Sequence, residues 1–154
     1  MYNHSRRMHS VLDTWIDIEA QPRVVWDMLV DFKAWELWNT FIPVVEGKFQ
    51  VGEVLRIEVV PPGLKPMTFK PEVFVIKPYE KIIWGGSFLW IVYRGEHSFI
   101  LEPLVEGKTR FRQIEIFRGP MVLFMSNMIK NTEIGYHRMN QEFKRYVEGN
   151  LKLY

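Results

Sequence analysis

Polar and apolar residues alternate along most of this chain, and the alternation fails in two places. "LDTWIDIEA", Leu12 to Ala20, alternates well enough for a first strand. The pattern then changes in "QPRVVWDMLVDFKAWELW": Pro22 suits a first helical turn, and Val25, Trp26, Leu29 and Val30 recur at helical spacing. A second short helix is expected over Ala34 to Trp38. Six strand-like runs follow: "PVVEGKFQ", "EVLRIEVVP", "MTFKPEVFVI", "KIIWGGSFLWIVY", "GEHSFILEPL" and "TRFRQIEIF". Turn signals separate them, among them Pro61-Pro62-Gly63, Lys77-Pro78-Tyr79-Glu80, Arg94-Gly95 and Glu106-Gly107-Lys108. The two glycines of "WGGSF" predict a bulge or kink.

The second change comes after Pro120. From there to about Val147 no proline occurs, and apolar residues step by three and four. Met121, Met125, Met128, Thr132 and Gly135 begin a stripe that Met139, Phe143 and Tyr146 continue. Lys130, Glu133, His137 and Lys144 lie largely off it. A helix of this length is about 40 Å long, enough to cross a small sheet. The prediction is an α+β fold: one strand, two short helices, six more strands and a long C-terminal helix.

Period two also sets which side chains share a face. In "RGEHSFILEP", His97 goes with Phe99 and Leu101 on the apolar face, opposite Glu96, Ser98, Ile100 and Glu102. On the following strand Gln113 and Glu115 share a face with Phe111 and Phe117, while Arg110 and Arg112 point the other way. Three polar groups therefore sit on an apolar wall. Each costs about 1–3 kcal/mol if it is buried without a partner.

Composition narrows the function. With 154 residues, no repeat, no low-complexity tract and no linker, the chain is expected to form one domain over residues 10–150, after a flexible tail over 1–9. Aromatic residues reach 15%, and 8 Met add adaptable apolar surface that can fill a core or line a ligand cavity. Basic and acidic residues number 20 and 18 and are interspersed, which argues against nucleic acid. The absence of cysteine removes disulfides, thiolate metal sites and cysteine nucleophiles. The histidines His4, His9, His97 and His137 show no metal-ligand spacing, and neither a phosphate-binding glycine loop nor a GxSxG elbow occurs, so no metal and no cofactor are expected. "NHS" at Asn3 matches a glycosylation acceptor, idle without a secretory signal. The N-terminus shows no apolar signal region, and "MVLFM" and "FLWIVY" are too short to span a bilayer. A soluble, cytoplasmic protein is expected.

Several stretches resemble the START-like, or SRPBCC, superfamily with its helix-grip fold. They are "IDIEAQPRVVWDMLVD", "WELWNTFI", "IIWGG", "GEHSFILEP" and "TRFRQIEIFRGP", followed by the long helix. The likeness covers roughly residues 10 to 148. It implies a curved antiparallel sheet of about seven strands wrapped around the C-terminal helix, with a ligand cavity between them. That superfamily includes pollen allergens, lipid-transfer domains, polyketide cyclases and a chaperone-ATPase activator, so it indicates fold far better than function. Two positions depart from its usual pattern, Gln21 before the proline and Thr40 in "WNTF".

The reading these features support is binding of a small or medium hydrophobic molecule, of lipid, polyketide or aromatic type, in that cavity. The sheet would supply Trp84, Phe88, Phe99, Phe111 and Phe117, and the helix Met125, Met128, Thr132 and Met139. Trp38 and Phe41 would close one end, with Asn39 capping a helix end or turn. Thr132 and Gly135, being small, would leave the gap opposite the sheet. For His97, Gln113 and Glu115 three roles stay open: partners that satisfy one another, hooks for the polar end of a ligand, or a catalytic pair in which Glu115 is a general base and His97 its partner. The alternatives are thus a cyclase or dehydratase on a polyketide-like substrate and a protein-interaction module with a filled interior. Trp90 is expected to face away from the cavity, as a surface or homodimer contact.

Overall fold

A computed structural model describes residues 8–89 and 91–153. Most of the tail expected over 1–9, and Trp90 with its expected surface or dimer role, lie outside the described residues. The elements run β1 (His9–Ile18), α1 (Pro22–Leu29), α2 (Trp35–Trp38), β2 (Val44–Glu46), β3 (Arg56–Val59), β4 (Met67–Phe69), β5 (Glu72–Lys77), β6 (Lys81–Phe88), β7 (Tyr93–Pro103), β8 (Thr109–Arg118) and α3 (Ser126–Gly149). The fold is α+β, with two short helices after the first strand and a long helix at the end.

Two antiparallel sheets replace the single one expected. Five strands pair in the order β1-β8-β7-β6-β5, and three in the order β2-β3-β4. The run "MTFKPEVFVI" divides into β4 and β5 at Lys70-Pro71. Pro71 has no N–H to continue a ladder, and its carbonyl instead accepts from the Leu55 N–H at 2.8 Å. That bond and the Val54–Glu72 bridge carry the second sheet onward from the edge of the first.

The turn between β6 and β7 also moves. It lies at Leu89–Val92, closed by the Val92 N–H donating to the Leu89 carbonyl at 2.7 Å. Arg94-Gly95, expected as a separator, is part of β7. Gly85 and Gly86 make no bulge: register runs unbroken from Lys81 opposite Ile100 to Phe88 opposite Tyr93. The irregularity is in β5, between Val73 and Val75. Gly85 is needed because a Cβ there would come within 2.5 Å of the Gly95 carbonyl oxygen and 2.7 Å of the Phe74 ring.

The long helix begins later than its hydrophobic stripe. Gly119 takes φ 112, outside the range of most side chains, and Pro120–Phe124 forms a 3-10 turn before α3 starts at Ser126. The buried face of α3 includes Tyr136, Met139, Asn140, Phe143 and Val147. Polar clamps hold its C-terminal half. Glu142 accepts from the Thr40 N–H at 2.9 Å and from its hydroxyl at 2.6 Å, and Lys144 donates to the Asp17 carbonyl at 2.6 Å. Proline at position 40 would lack the first of these donors.

One half of the interior is solid. Trp35 is fully buried, donates Nε1–H to the Leu29 carbonyl at 2.9 Å and packs on Phe32, Trp84 and Phe99. Phe143 sits between Trp38 and Phe111. The gap expected at Gly135 is filled. A Cβ there would overlap the Phe41 ring, so this glycine admits an aromatic side chain from the loop after α2 and leaves no space.

Candidate functional site

The cavity follows from the register of three inward-facing rows across the five-stranded sheet. Ile82, Phe99, Gln113 and Thr14 lie opposite one another in the first. Trp84, His97, Glu115 and Leu12 form the second, and Gly86, Gly95, Phe117 and Ser10 the third. In that third row two adjacent strands present glycine, so the wall at Gly86 is bare, while the Tyr93 ring lies over Gly95. A Cβ on Gly86 would meet nothing within 4 Å. Over this bare patch lies a cavity of about 520 Å³, within the usual size range for small-molecule sites.

Its other walls come from three directions. Ile57, Val59, Met67 and Phe69 of the second sheet face it, α3 contributes Met128, Thr132 and Tyr136, and Phe41 and Ile42 close the inner end. Phe88 and Met121, both exposed, stand at the mouth. Of the side chains expected at the site, the fold brings Phe41, Trp84, Phe88, Phe117, Met125, Met128 and Thr132 to this cavity, together with His97 and Glu115. Trp38, Phe99, Phe111, Gln113 and Met139 do not reach it. They share the inward face but lie at the solid end, where aromatic packing leaves no room.

Polar groups gather on one side of the cavity. Glu115 Oε2 accepts from the Tyr136 hydroxyl at 3.1 Å and lies 3.7 Å from His97 Nδ1. The Tyr136 oxygen is 3.4 Å from the same nitrogen. A Cβ on Gly95 would fall 2.5 Å from the Tyr93 hydroxyl and 3.5 Å from Glu115 Oε1, which places Tyr93 over Gly95 and beside the carboxyl.

Behind His97 runs a buried chain of side chains. Asn140 Nδ2 donates to Thr14 Oγ1 at 3.0 Å, Gln113 Nε2 donates to Asn140 Oδ1 at 2.7 Å, and Gln113 Oε1 lies 3.0 Å from His97 Nε2. An amide oxygen only accepts, so this network assigns the proton of neutral His97 to Nε2 and leaves Nδ1 an acceptor on the cavity side. Gln113 thus positions His97 and does not itself face the cavity.

Burial governs the charge states. It pushes the Glu115 carboxyl up to about 8, against the Tyr136 hydrogen bond, with Glu96 adding a smaller push in the same direction. It drives His97 down to about 3, opposed by the Gln113 bond. Tyr93 and Tyr136 are raised above the ordinary phenol range, first by burial and then by Glu115. Near neutral pH the cluster is therefore uncharged: a carboxylic acid, a neutral imidazole and two phenols. His97 and Glu115 do not form an ion pair there. Among the described residues no group of three or more His, Asp or Glu gathers to hold a metal ion.

Neither Tyr93 nor Tyr136 is expected at the cavity from the sequence, where Tyr93 falls only at the end of the Phe88–Tyr93 stretch that an interaction module would expose, though both leave a signal. Tyr93 has the parity of His97 once β7 is known to start before Arg94. Tyr136 stands three, seven and eleven residues before Met139, Phe143 and Val147, a helical face hidden by Asn140 in its middle. The second-sheet wall left no comparable signal, since its position depends on where the chain doubles back at Pro71.

The sequence matches no protein-family model and no curated protein. Solved structures do match. The Zhui aromatase/cyclase from Streptomyces sp. R1128 is 12% identical at TM-score 0.76, over 93% of this chain and 96% of that one. A truncated norcoclaurine synthase from Thalictrum flavum is 15% identical at TM-score 0.66, over 90% and 93%. Ara h 8.0201 is 16% identical at TM-score 0.62, over 92% and 99%. At these identities the likeness concerns architecture alone. With the antiparallel sheet closed over a long C-terminal helix, it shows that this chain has the helix-grip fold.

Proposed function

We propose that this protein binds a small or medium hydrophobic molecule in the cavity over Gly86. The observation that carries the reading is a cavity of about 520 Å³ with mainly apolar walls, in whose lining His97, Glu115, Tyr93 and Tyr136 cluster. Apolar area removed from water drives such binding at about 25 cal/mol per Å², less the cost of association. His97 Nδ1 and the Glu115 carboxyl, with the phenols of Tyr93 and Tyr136, supply directional hydrogen bonds to the ligand's polar end. Because all four are neutral near pH 7, an uncharged polar end, such as a hydroxyl or a carbonyl, suits them better than a charged one.

Native mass spectrometry of freshly purified protein tests this directly. The expected result is a retained mass of roughly a few hundred daltons, the size such a cavity takes, released on denaturing extraction. Clean apo protein that gains no mass from a panel of lipids, flavonoids and polyketides would count against it.

One observation favours a catalytic version of the same site. Glu115 is a buried carboxylic acid that holds its proton at neutral pH, with two phenols beside it, an arrangement able to protonate and deprotonate a carbonyl compound. Two of the structural neighbours are named for enzymes, an aromatase/cyclase and a norcoclaurine synthase. In that version Glu115→Gln abolishes turnover of a bound polyketide-like compound while binding persists. If turnover survives the substitution, Glu115 has no catalytic role.

A further inference from the structure

Two O–H donors in the cavity wall have no acceptor among the described residues. The first belongs to Glu115. Its side chain is 13% exposed and pairs with no Lys or Arg among the described residues; its neighbours are neutral His97 and the Tyr136 phenol. A buried carboxyl without a cation keeps its proton. Oε2 accepts from the Tyr136 hydroxyl at 3.1 Å and lies 3.7 Å from His97 Nδ1, beyond hydrogen-bond reach. The acid proton therefore belongs to the other oxygen, Oε1.

The second donor is the Tyr93 hydroxyl. Tyr93 and Gly95 stand two apart on β7 and share the inward face. The Tyr93 ring folds back along the strand over that glycine. A Cβ on Gly95 would fall 2.5 Å from the hydroxyl, 3.2 Å from the ring carbon that bears it and 3.5 Å from Glu115 Oε1. Both oxygens thus stand over one point of the wall, and the phenol reaches it only because residue 95 has no side chain.

Buried donors need an acceptor, and here it has to come from outside the chain. A carbonyl oxygen offers two lone pairs and no proton, so it satisfies two adjacent donors at once. A ligand hydroxyl brings a proton that needs a further acceptor, and His97 Nδ1 already faces the Tyr136 oxygen at 3.4 Å. A carboxylate brings a charge into a mainly apolar cavity, at a desolvation cost.

We propose that the ligand is an apolar carbonyl compound whose oxygen accepts from both Glu115 Oε1 and the Tyr93 hydroxyl, with Gly95 positioning Tyr93. This rests on the ligand-binding reading and names the class of ligand and the two atoms that select it.

Displacement of an apolar fluorescent probe from the full chain tests it. The ligands compared are 2-acetylnaphthalene and 2-isopropenylnaphthalene, alike in shape, with a methylene in place of the oxygen in the second. The ketone should bind at least about tenfold more tightly. Tyr93→Phe removes one donor and should weaken ketone binding about three- to tenfold while leaving the alkene unchanged. Gly95→Ala should have the same effect by displacing the phenol, although both donors remain. Infrared spectra of the ketone carrying carbon-13 at its carbonyl give a readout that altered packing would not move. The bound stretch should lie below its position in hexane and return part of the way in Tyr93→Phe. Equal binding of ketone and alkene overturns the carbonyl assignment but leaves the cavity a ligand site, whereas binding of neither overturns both. Ketone affinity and stretch indifferent to Tyr93→Phe overturn the assignment as well.

Discussion

Replacing Gly86 with Trp is expected to leave the fold intact and remove ligand binding. Gly86 lies in a regular stretch of β6, not at a turn, and a Cβ at its position meets nothing within 4 Å. A tryptophan there projects into the cavity and occupies roughly 150–250 Å² of apolar surface that a ligand would otherwise cover. At about 25 cal/mol per Å² this is several kcal/mol, or at least about a hundredfold in affinity. Aromatic residues suit strands better than glycine does, so the variant should unfold no earlier than the parent protein. Gly86→Ala is the control: it adds only the Cβ, should retain most binding, and should gain a few tenths of a kcal/mol from the less flexible unfolded chain. Titration with an apolar fluorescent probe, alongside thermal unfolding, reads both quantities. Undiminished affinity in a folded Gly86→Trp protein would place the ligand elsewhere.

Stability should show a plateau between about pH 4.5 and 6.5, with two separable arms. Glu115 has a folded value of about 8 against an ordinary value of 4.5. Between those limits the folded state holds a proton that the unfolded state has lost. Its contribution is fully present below pH 4.5 and disappears as pH rises to 8, at up to about 1.4 kcal/mol per pH unit. His97 has the opposite sign. With a folded value of about 3 against 6.5, it contributes most above pH 6.5 and loses that contribution as pH falls toward 3. From 4.5 to 6.5 the two slopes cancel. Glu115→Gln should therefore abolish the alkaline arm and give a protein whose stability, relative to the parent, rises by several kcal/mol between pH 4.5 and 8. His97→Asn should make the acid arm shallower without removing it, because Asp13 and Asp17, held below the usual carboxylate range first by hydrogen bonds from Arg112 and Arg110, also lose stabilising contacts in acid. Urea midpoints from pH 3 to 9 provide the measurement. An alkaline arm unchanged in Glu115→Gln would mean that this carboxyl is already ionised at neutral pH.

The two experiments probe different properties of one site. Gly86 concerns the space available, and Glu115 with His97 concerns the protons that border it. A protein that merely packs polar groups into its core would show the pH arms but no ligand lost on filling the cavity.

Much of this molecule is visible in its local pattern. The change from period two to period 3.6 marks the two short helices and the long one, and strand parity alone puts His97, Phe99, Phe111 and Glu115 on the inward face. The oxygen of Asn39 accepts from the Phe41 and Ile42 N–H groups at 3.1 and 2.8 Å, the turn expected of that residue. These features are legible because each depends on bonds and sterics within a few residues.

Where the interior is empty and where it is full required the tertiary structure. Gly135 reads as a gap, yet Phe41, nearly a hundred positions earlier, fills it. Gly86 reads as a kink, yet it opens the cavity, because moving the β6–β7 turn to Leu89–Val92 sets it opposite Gly95. Gln113 and Glu115 are equivalent by parity, but Asn140 on α3 captures the first and Tyr136 hydrogen-bonds the second at the cavity. Local sequence determines which face a side chain takes. What stands opposite that face is decided by register and by helix docking, which join residues far apart in the chain and leave no periodic trace.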